Sequence, residues 1–369
     1  VSHNLISSIR CPMIGVHLTT AFSHSYYMLG HRTLVNFDPK VSTPLQPVYP
    51  SIGEAVYNAS PGLKDAANIL VAERNLEFLV DPEIGGFLFD GAGSTFAPGV
   101  RVGLGALERT WASVFGYFVL FEIFEAQFNA SLMGRPFPRA PHPDLADAIG
   151  LRRWAMSDAH REARQAWPQG LPSPSRPSRM RTIRKVNVLY LRAVGWMFGH
   201  ELGHFARGHL DPKQEVVAAQ ADTQAIEAVH LMEHEADAWA HNAATTPKET
   251  WGTIASICSI AFGLGVIGGI CRLVTVDHPP ISGRMRRFYR SYIEPLWDGE
   301  HRGYNTALYA AIAPLHAQLY LAGWTPAVVA FRDFDAYLSW WETTMNELAK
   351  PGLAAAGLPG GHRRSLTNF

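Results

Sequence analysis

The sequence predicts an α+β protein that is mostly helical, with a small sheet beside the helix that carries its functional motif. Apolar residues recur at helical spacing through most of the second half of the chain. In the first 105 residues, short alternations of apolar and polar residues predict strands instead. The 369 residues are 47% apolar and 17% charged, which suffices for one large or two moderate domains with a substantial core.

The expected elements follow from periodicity and from proline and glycine positions. Strands are predicted at residues 14–18, 33–37, 86–89 and 99–105, the last from the alternation of Val100, Val102 and Leu104. Helices are predicted at 63–79, 106–129, 151–167, 186–208, 212–242, 284–292, 304–323 and 333–349. The aromatic residues of the helix at 106–129 indicate core packing rather than a cofactor site.

Three segments have the composition of loops or tails. Residues 134–150 are proline-rich, and residues 168–181 are basic and rich in proline and serine. The second segment is expected to be an exposed, mobile linker, and a regulatory or protease-sensitive segment is the alternative. Residues 351–369 are expected to form a flexible tail.

The apolar stretch 251–276 has two interpretations. Residues 252–271 carry no charge, which is long enough for a membrane span. A single span would place Glu233 and His278 on opposite sides of a bilayer. Such a span is incompatible with both residues serving one site. Glycines weaken the span, namely Gly263, Gly265, Gly268 and Gly269. We therefore expect a buried helix behind the motif helix. One version of this helix has a break near residues 263–265. A membrane-associated helix is the alternative.

Charge and cysteine content restrict the partners and the compartment. The formal net charge is zero, which favours neither nucleic acid nor an anionic membrane as a partner. The three cysteines, Cys11, Cys258 and Cys271, are too few for a disulfide framework. Residues 1–20 lack a basic start followed by an apolar run, so no signal peptide is expected. The expectation is a cytoplasmic protein.

The functional motif is the run HELGH at residues 200–204. On a helix, His200 and His204 lie one turn apart on the same face. Two imidazoles in that arrangement can hold one Zn²⁺, and Glu201 can then act as the general base on a metal-bound water. Gly208 is placed to end the helix. The alternative is a buried helix with two hydrogen-bonded histidines.

A catalytic zinc needs a third protein ligand and an open position. The stretch EHEADAWA at residues 233–240 offers Glu233 as that ligand. Asp237, one helical turn further on, can accept the second ring N–H of His200 or His204. Glu235 points to another face and is expected to be solvated or to cap a neighbour.

Two further histidines compete for the metal. His209 follows the second motif histidine by five residues, and we expect it to be an ordinary loop histidine. His230 lies three residues before Glu233 on the same helical face, and as a fourth ligand it would make the site structural.

The three blocks HELGH, EHEADAWA and DHPPISGR resemble the zinc-dependent gluzincin peptidases of the CAAX-prenyl and heat-shock endopeptidase type. That family reads HExxH, then ExxAD, then HPxxxxR, in the same order. The segment TFAPGVRVGLGAL is similar to its cleft-lining strand. The chain also resembles the soluble Lit-type phage-exclusion peptidases.

The resemblance implies a gluzincin-like metallopeptidase fold and a role for each matched residue. It implies that His200, His204 and Glu233 are the zinc ligands and that Glu201 is the base. It further implies that Asp237 supports a ligand, that His278 stabilises the transition state, and that Arg284 is a buried partner of the site carboxylates.

These observations predict a zinc-dependent endopeptidase that hydrolyses peptide bonds of a protein substrate with a metal-activated water. The strand at residues 100–104 is expected to pair with substrate backbone at its open edge. A latent protease that needs an activating partner, in a bacterial stress or phage-defence role, is one alternative. A regulatory protein with a retained but inactive zinc site is another, and a membrane-associated CAAX-type peptidase is a third.

The predicted organisation has four parts. Residues 1–150 form an N-terminal α/β portion with the cleft-lining strand at 99–105. Residues 151–182 form a helix and a Pro/Ser/Arg-rich linker, residues 183–350 form the helical zinc-binding catalytic portion, and residues 351–369 form the tail.

Overall fold

The computed structural model describes about three fifths of the chain, and most of that part is helical, as predicted. The described residues are 35–36, 42–52, 55, 64–65, 68, 77–81, 89–90, 99–132, 142–157, 164–175, 180–209, 223–244, 250–270, 278–297, 302–321 and 333–349. The predicted strand at 14–18 and the tail at 351–369 lie outside these residues.

The elements follow in chain order. The strands are β1 (Val35–Asn36), β2 (Glu77–Asp81), β3 (Phe89–Asp90) and β4 (Gly99–Gly103). The helices are α1 (Leu104–Leu132), α2 (Leu145–Ala155), α3 (Met180–Arg207), α4 (Thr223–Ala244), α5 (Thr250–Ile270), α6 (Ile281–Phe288), α7 (Arg302–Leu321) and α8 (Phe334–Ala349). A π-helical turn, Tyr289–Ile293, continues α6.

The strands form one sheet in the order β1-β2-β4-β3, and β3 contacts the motif helix α3. β4 runs parallel to β2, with Val100 opposite Phe78, and antiparallel to β3. Two corrections follow. The helix predicted at 63–79 does not reach its predicted end, because residues 77–79 belong to β2. The expectation of an open edge at residues 100–104 is wrong, because β4 has a hydrogen-bonded neighbour on each side and its Val100 and Val102 are buried.

Helix α1 leaves β4 directly and runs through the core. Its aromatic side chains are buried as predicted: Trp111, Phe115, Tyr117, Phe118, Phe121 and Phe124. The indole of Trp111 donates to Asn187 of α3 at 2.7 Å, which ties the two helices together. The helix α1 therefore supports the back of the motif helix.

The segment between α1 and α3 differs from the prediction. The helix expected at 151–167 is α2, which begins at Leu145 and ends at Ala155. Residues 172–174 are buried rather than exposed, so the predicted exposed linker is wrong there. Leu171 packs against the core next to Gly150 of α2, and this contact draws the segment inward.

Helix α5 is the apolar stretch, and it is helical from Thr250 to Ile270 without the expected break. Residues 256–266 are all buried, so every face of this part is enclosed. Its glycines make room for neighbours: an added Cβ would come within 2.5 Å of the Trp196 ring at Gly263, 2.2 Å of Pro314 at Gly265 and 2.4 Å of Ile281 at Gly268. Within the described ranges, no helix combines the length and the apolar composition needed to cross a membrane.

Candidate metal centre

The motif histidines are buried near the C-terminal end of α3. His200 is 2% and His204 is 3% exposed, and their ring centroids are 4.8 Å apart. The helix ends at Arg207, and Gly208 follows with φ of 70°, a left-handed conformation that glycine adopts without strain. The sequence therefore places both rings on one face in the last two turns of the helix.

A close helix crossing brings the third donor to these histidines. Gly203 of α3 lies against the backbone of Ala236 in α4, where an added Cβ would be only 3.0 Å from the Ala236 Cα and carbonyl oxygen. Glu233 lies one turn before Ala236 and is fully buried. The glycine inside the motif is therefore what lets this carboxylate approach the two rings.

The three side chains converge as a metal site requires. His200 Nε2 and His204 Nε2 are 3.2 Å apart, and they lie 3.4 Å and 3.1 Å from the two carboxylate oxygens of Glu233. Two atoms bound to one tetrahedral zinc at about 2.0–2.1 Å are separated by about 3.3–3.4 Å. The three donors form a buried group that could hold a metal ion, and their spacing fits a single cation.

A second pair of side chains supports His200 from behind. Its Nδ1 lies 3.0 Å from Asp237 Oδ1. Asp237 in turn accepts two hydrogen bonds from Arg284 of α6, from Nε at 2.8 Å and from Nη2 at 2.5 Å. Arg284 Nη1 also lies 3.8 Å from Glu233. The predicted residues Asp237 and Arg284 thus lie together beside the donor group.

The charges of this cluster favour a cation. Burial opposes protonation of His200, but hydrogen bonds to Asp237 and Glu233 outweigh it and raise the pKa of His200 to about 9. Burial raises the pKa of Asp237, but Arg284 and His200 outweigh it and hold that pKa well below its usual range. The carboxylates that stabilise a proton on His200 would equally stabilise a metal ion.

The two remaining predicted residues, His278 and Glu201, are more accessible to solvent than the three donors. His278 immediately precedes the turn into α6, and its Nε2 lies 3.7 Å from Glu233 Oε2, with 28% of its side chain exposed. Glu201 is half-buried and follows His200 in α3. His230 is not part of the three-residue donor group, and its role as a fourth ligand has no support in the described residues.

His209 lies directly after helix α3 and Glu235 is exposed, as expected, but both make contacts that their sequence positions did not predict. His209 is 6% exposed, and its Nδ1 lies 3.2 Å from the Nδ1 of His204. Its Nε2 lies 3.1 Å from Glu235 Oε2, so Glu235 contacts this ring although half of its side chain is exposed. The available signal was the position of His209 directly after a helix-ending glycine, where the chain turns back over the last helical turn.

Sequence reasoning also missed the contact beneath His200, the first donor of the group. Trp196, one turn before His200, donates from its indole N–H to His241 Nδ1 at 2.8 Å. Burial lowers the pKa of His241 to about 3, which keeps this ring neutral and able to accept that bond. An apolar helix containing one tryptophan gives no sequence signal for such a pairing.

Two buried imidazoles and one carboxylate around a common point are the donor set of metal-dependent hydrolases. A family model for Peptidase U49 matches residues 101–295, which is more than half of the chain and includes every residue of the group. The chain therefore belongs to the Peptidase U49 family. This membership supports the assignment of the chain as a peptidase. Neither the curated proteins nor the solved structures contain a match to the chain.

Proposed function

We propose that the chain is a zinc-dependent endopeptidase that hydrolyses peptide bonds of a protein substrate. The observation that carries the proposal is the convergence of His200, His204 and Glu233, whose donor atoms are separated by 3.1–3.4 Å. In the same helix, Glu201 lies next to the first donor. A catalytic zinc site requires about three protein ligands and a nearby general base. Two histidine nitrogens, one carboxylate oxygen and Glu201 meet these requirements.

The three donor residues would hold the metal. A Zn²⁺ bound there supplies Lewis acidity, which activates water and polarises the substrate carbonyl. Glu201 accepts the proton of the attacking water and returns it to the leaving amine. His278, the partly exposed imidazole beside Glu233, donates a hydrogen bond to the oxygen that becomes negative.

Asp237 and Arg284 keep the first ligand in its productive orientation. The carboxylate accepts the Nδ1 proton of His200, which leaves Nε2 free to bind the cation. Arg284 neutralises this buried carboxylate through two hydrogen bonds. The arrangement fixes the tautomer of His200 without adding a net negative charge.

The proposal extends to location and regulation. A cytoplasmic location agrees with Cys258, which is a buried free thiol. An activating partner belongs to the proposal as well, since all three donor residues are at most 3% exposed and a substrate must gain access to them. Constitutive cleavage by the isolated protein would argue against such latency.

The test compares Glu201→Gln and His204→Ala with the wild type. Glu201→Gln should keep one bound zinc per chain and abolish proteolysis, because it removes the base and leaves the donors in place. His204→Ala should release the metal. Metal analysis of the purified proteins and proteome-wide comparison of cells expressing each variant are the measurements. Loss of zinc from Glu201→Gln would show that base and ligand are misassigned, and a metal-free wild type would refute the proposal.

A further inference from the structure

The two histidine donors are supported in different ways. Behind His200 lies the buried ion pair of Asp237 and Arg284, which is shielded from solvent. Behind His204 lies a second histidine, followed by a glutamate whose side chain is 49% exposed. The second ligand is thus connected to the protein surface by a row of two side chains, whereas the first is supported by a buried pair.

The atoms in contact determine the proton positions in this row. If His204 binds the cation through Nε2, its Nδ1 must carry the proton. That N–H faces His209 Nδ1, 3.2 Å away, which would then be the unprotonated acceptor. His209 consequently carries its proton on Nε2, which donates to Glu235 Oε2 at 3.1 Å. Every donor in the row faces an acceptor, with one proton for each contact.

The backbone places His209 where this row needs it. Gly208 adopts φ of 70°, and the amide of His209 donates to the carbonyl of His204 at 3.0 Å. This turn folds the chain back over the last helical turn and lays the His209 ring against the far nitrogen of the ligand. The contact therefore lies on the side of His204 opposite to Glu233, and His209 does not occupy a coordination position.

We propose that His209 and Glu235 are positioning residues for the second metal ligand. They fix the tautomer and the ring orientation of His204 through a ligand–histidine–glutamate row. The proposal rests on the metal site of the proposed function, but it concerns metal affinity and ring orientation rather than cleavage. Partners of this kind typically change metal affinity by about 10- to 100-fold when removed.

The experiment measures the Zn²⁺ affinity of the full chain by competition with a chromogenic chelator, with the visible spectrum of the Co²⁺-loaded protein as a second readout. His209→Phe keeps a buried ring but removes the acceptor, and we expect about 10-fold or greater weakening of Zn²⁺ binding and shifted Co²⁺ bands. His209→Gln keeps an acceptor and should recover most of that affinity. Glu235→Ala, at a half-exposed position that tolerates truncation, should weaken binding by a smaller factor.

Two controls make the result specific. His142 is not one of the donor residues, and its Nε2 lies 3.4 Å from Glu122 Oε2. The variant His142→Phe should therefore leave Zn²⁺ affinity unchanged. The double variant of His209→Phe and Glu235→Ala should bind no more weakly than His209→Phe alone, because both changes act through one contact row.

Three outcomes would overturn the inference: wild-type affinity in His209→Phe, equal losses in His209→Phe and His209→Gln, or additive losses in the double variant. Should His209→Phe fail to fold, Glu235→Ala and His209→Gln still decide the question. A wild-type chain that binds neither Zn²⁺ nor Co²⁺ would instead refute the proposed function, so the two failures are distinguishable.

Discussion

Substitution of Gly203 by alanine should weaken the metal site without touching any donor atom. The added Cβ would lie 3.0 Å from both the Cα and the carbonyl oxygen of Ala236. Ordinary contacts between such atoms are about 3.5–4.0 Å, so the helices must separate by about 0.5–1.0 Å. The neighbouring atoms belong to backbone and cannot turn aside as a flexible side chain could.

The substitution should have two opposing effects on the free energy of unfolding and one effect on Zn²⁺ affinity. Alanine gains about 1 kcal/mol over glycine inside a helix, whereas overpacking costs about 1–3 kcal/mol. The free energy of unfolding of the metal-free protein should therefore change little or fall. Metal sites tolerate distance errors of only about 0.2 Å, so the displacement of Glu233 should weaken Zn²⁺ binding by about 10-fold or more.

The assay is chelator competition for Zn²⁺ together with thermal unfolding of the metal-free protein. Gly116→Ala in α1 is the matched control, because its added Cβ would meet only ordinary contacts, 3.6 Å from the Ala148 carbonyl oxygen. That variant should gain up to about 1 kcal/mol in stability and keep the wild-type Zn²⁺ affinity. Wild-type affinity in Gly203→Ala would refute the idea that this crossing sets the position of Glu233.

Two further predictions concern the groups around the site. Arg284→Met leaves the buried carboxylate of Asp237 without its guanidinium and should cost about 3–5 kcal/mol of unfolding free energy in urea titrations; a loss below about 1 kcal/mol would contradict the assigned ion pair. Burial lowers the pKa of His241 to about 3, so the contribution of this ring to stability should be complete above about pH 6.5 and decline towards pH 3, by up to about 1.4 kcal/mol per pH unit. His241→Phe removes this titration, and urea titrations of the metal-free protein between pH 7 and pH 5 should show a flatter decline than in the wild type; an unchanged decline would show that His241 does not titrate in this way.

The helices and the donor residues could be read from the sequence because both depend on local spacing. The aromatic face of α1 and the C-terminal helices at 302–321 and 334–349 follow from apolar residues that recur every three or four positions. The motif at residues 200–204 and Glu233 combine residue types that few structural needs would place together. Their roles as metal ligands stay a prediction, although the structure places their donor atoms side by side.

The remainder depends on long-range contacts that leave no periodic trace. The residues of β2 also fit a helical spacing. They form a strand because they pair with β4. The loop at 172–174 is polar and proline-rich, yet packing buries it. His209 contacts His204 only because Gly208 reverses the chain, and its second partner comes from α4, 26 residues away.

Gly263, Gly265 and Gly268 of α5 each lie against a side chain of a neighbouring segment. These contacts affect the geometry of the donor group. Gly263 receives Trp196, one turn before His200, and Gly268 receives Ile281, three residues after His278. One buried helix therefore packs against both the segment that carries His200 and the segment that follows His278. A methyl group at either glycine would alter the distance between those segments while leaving the chemistry of every donor intact. A substitution at either glycine would thus act on the site mechanically, through these two points of contact.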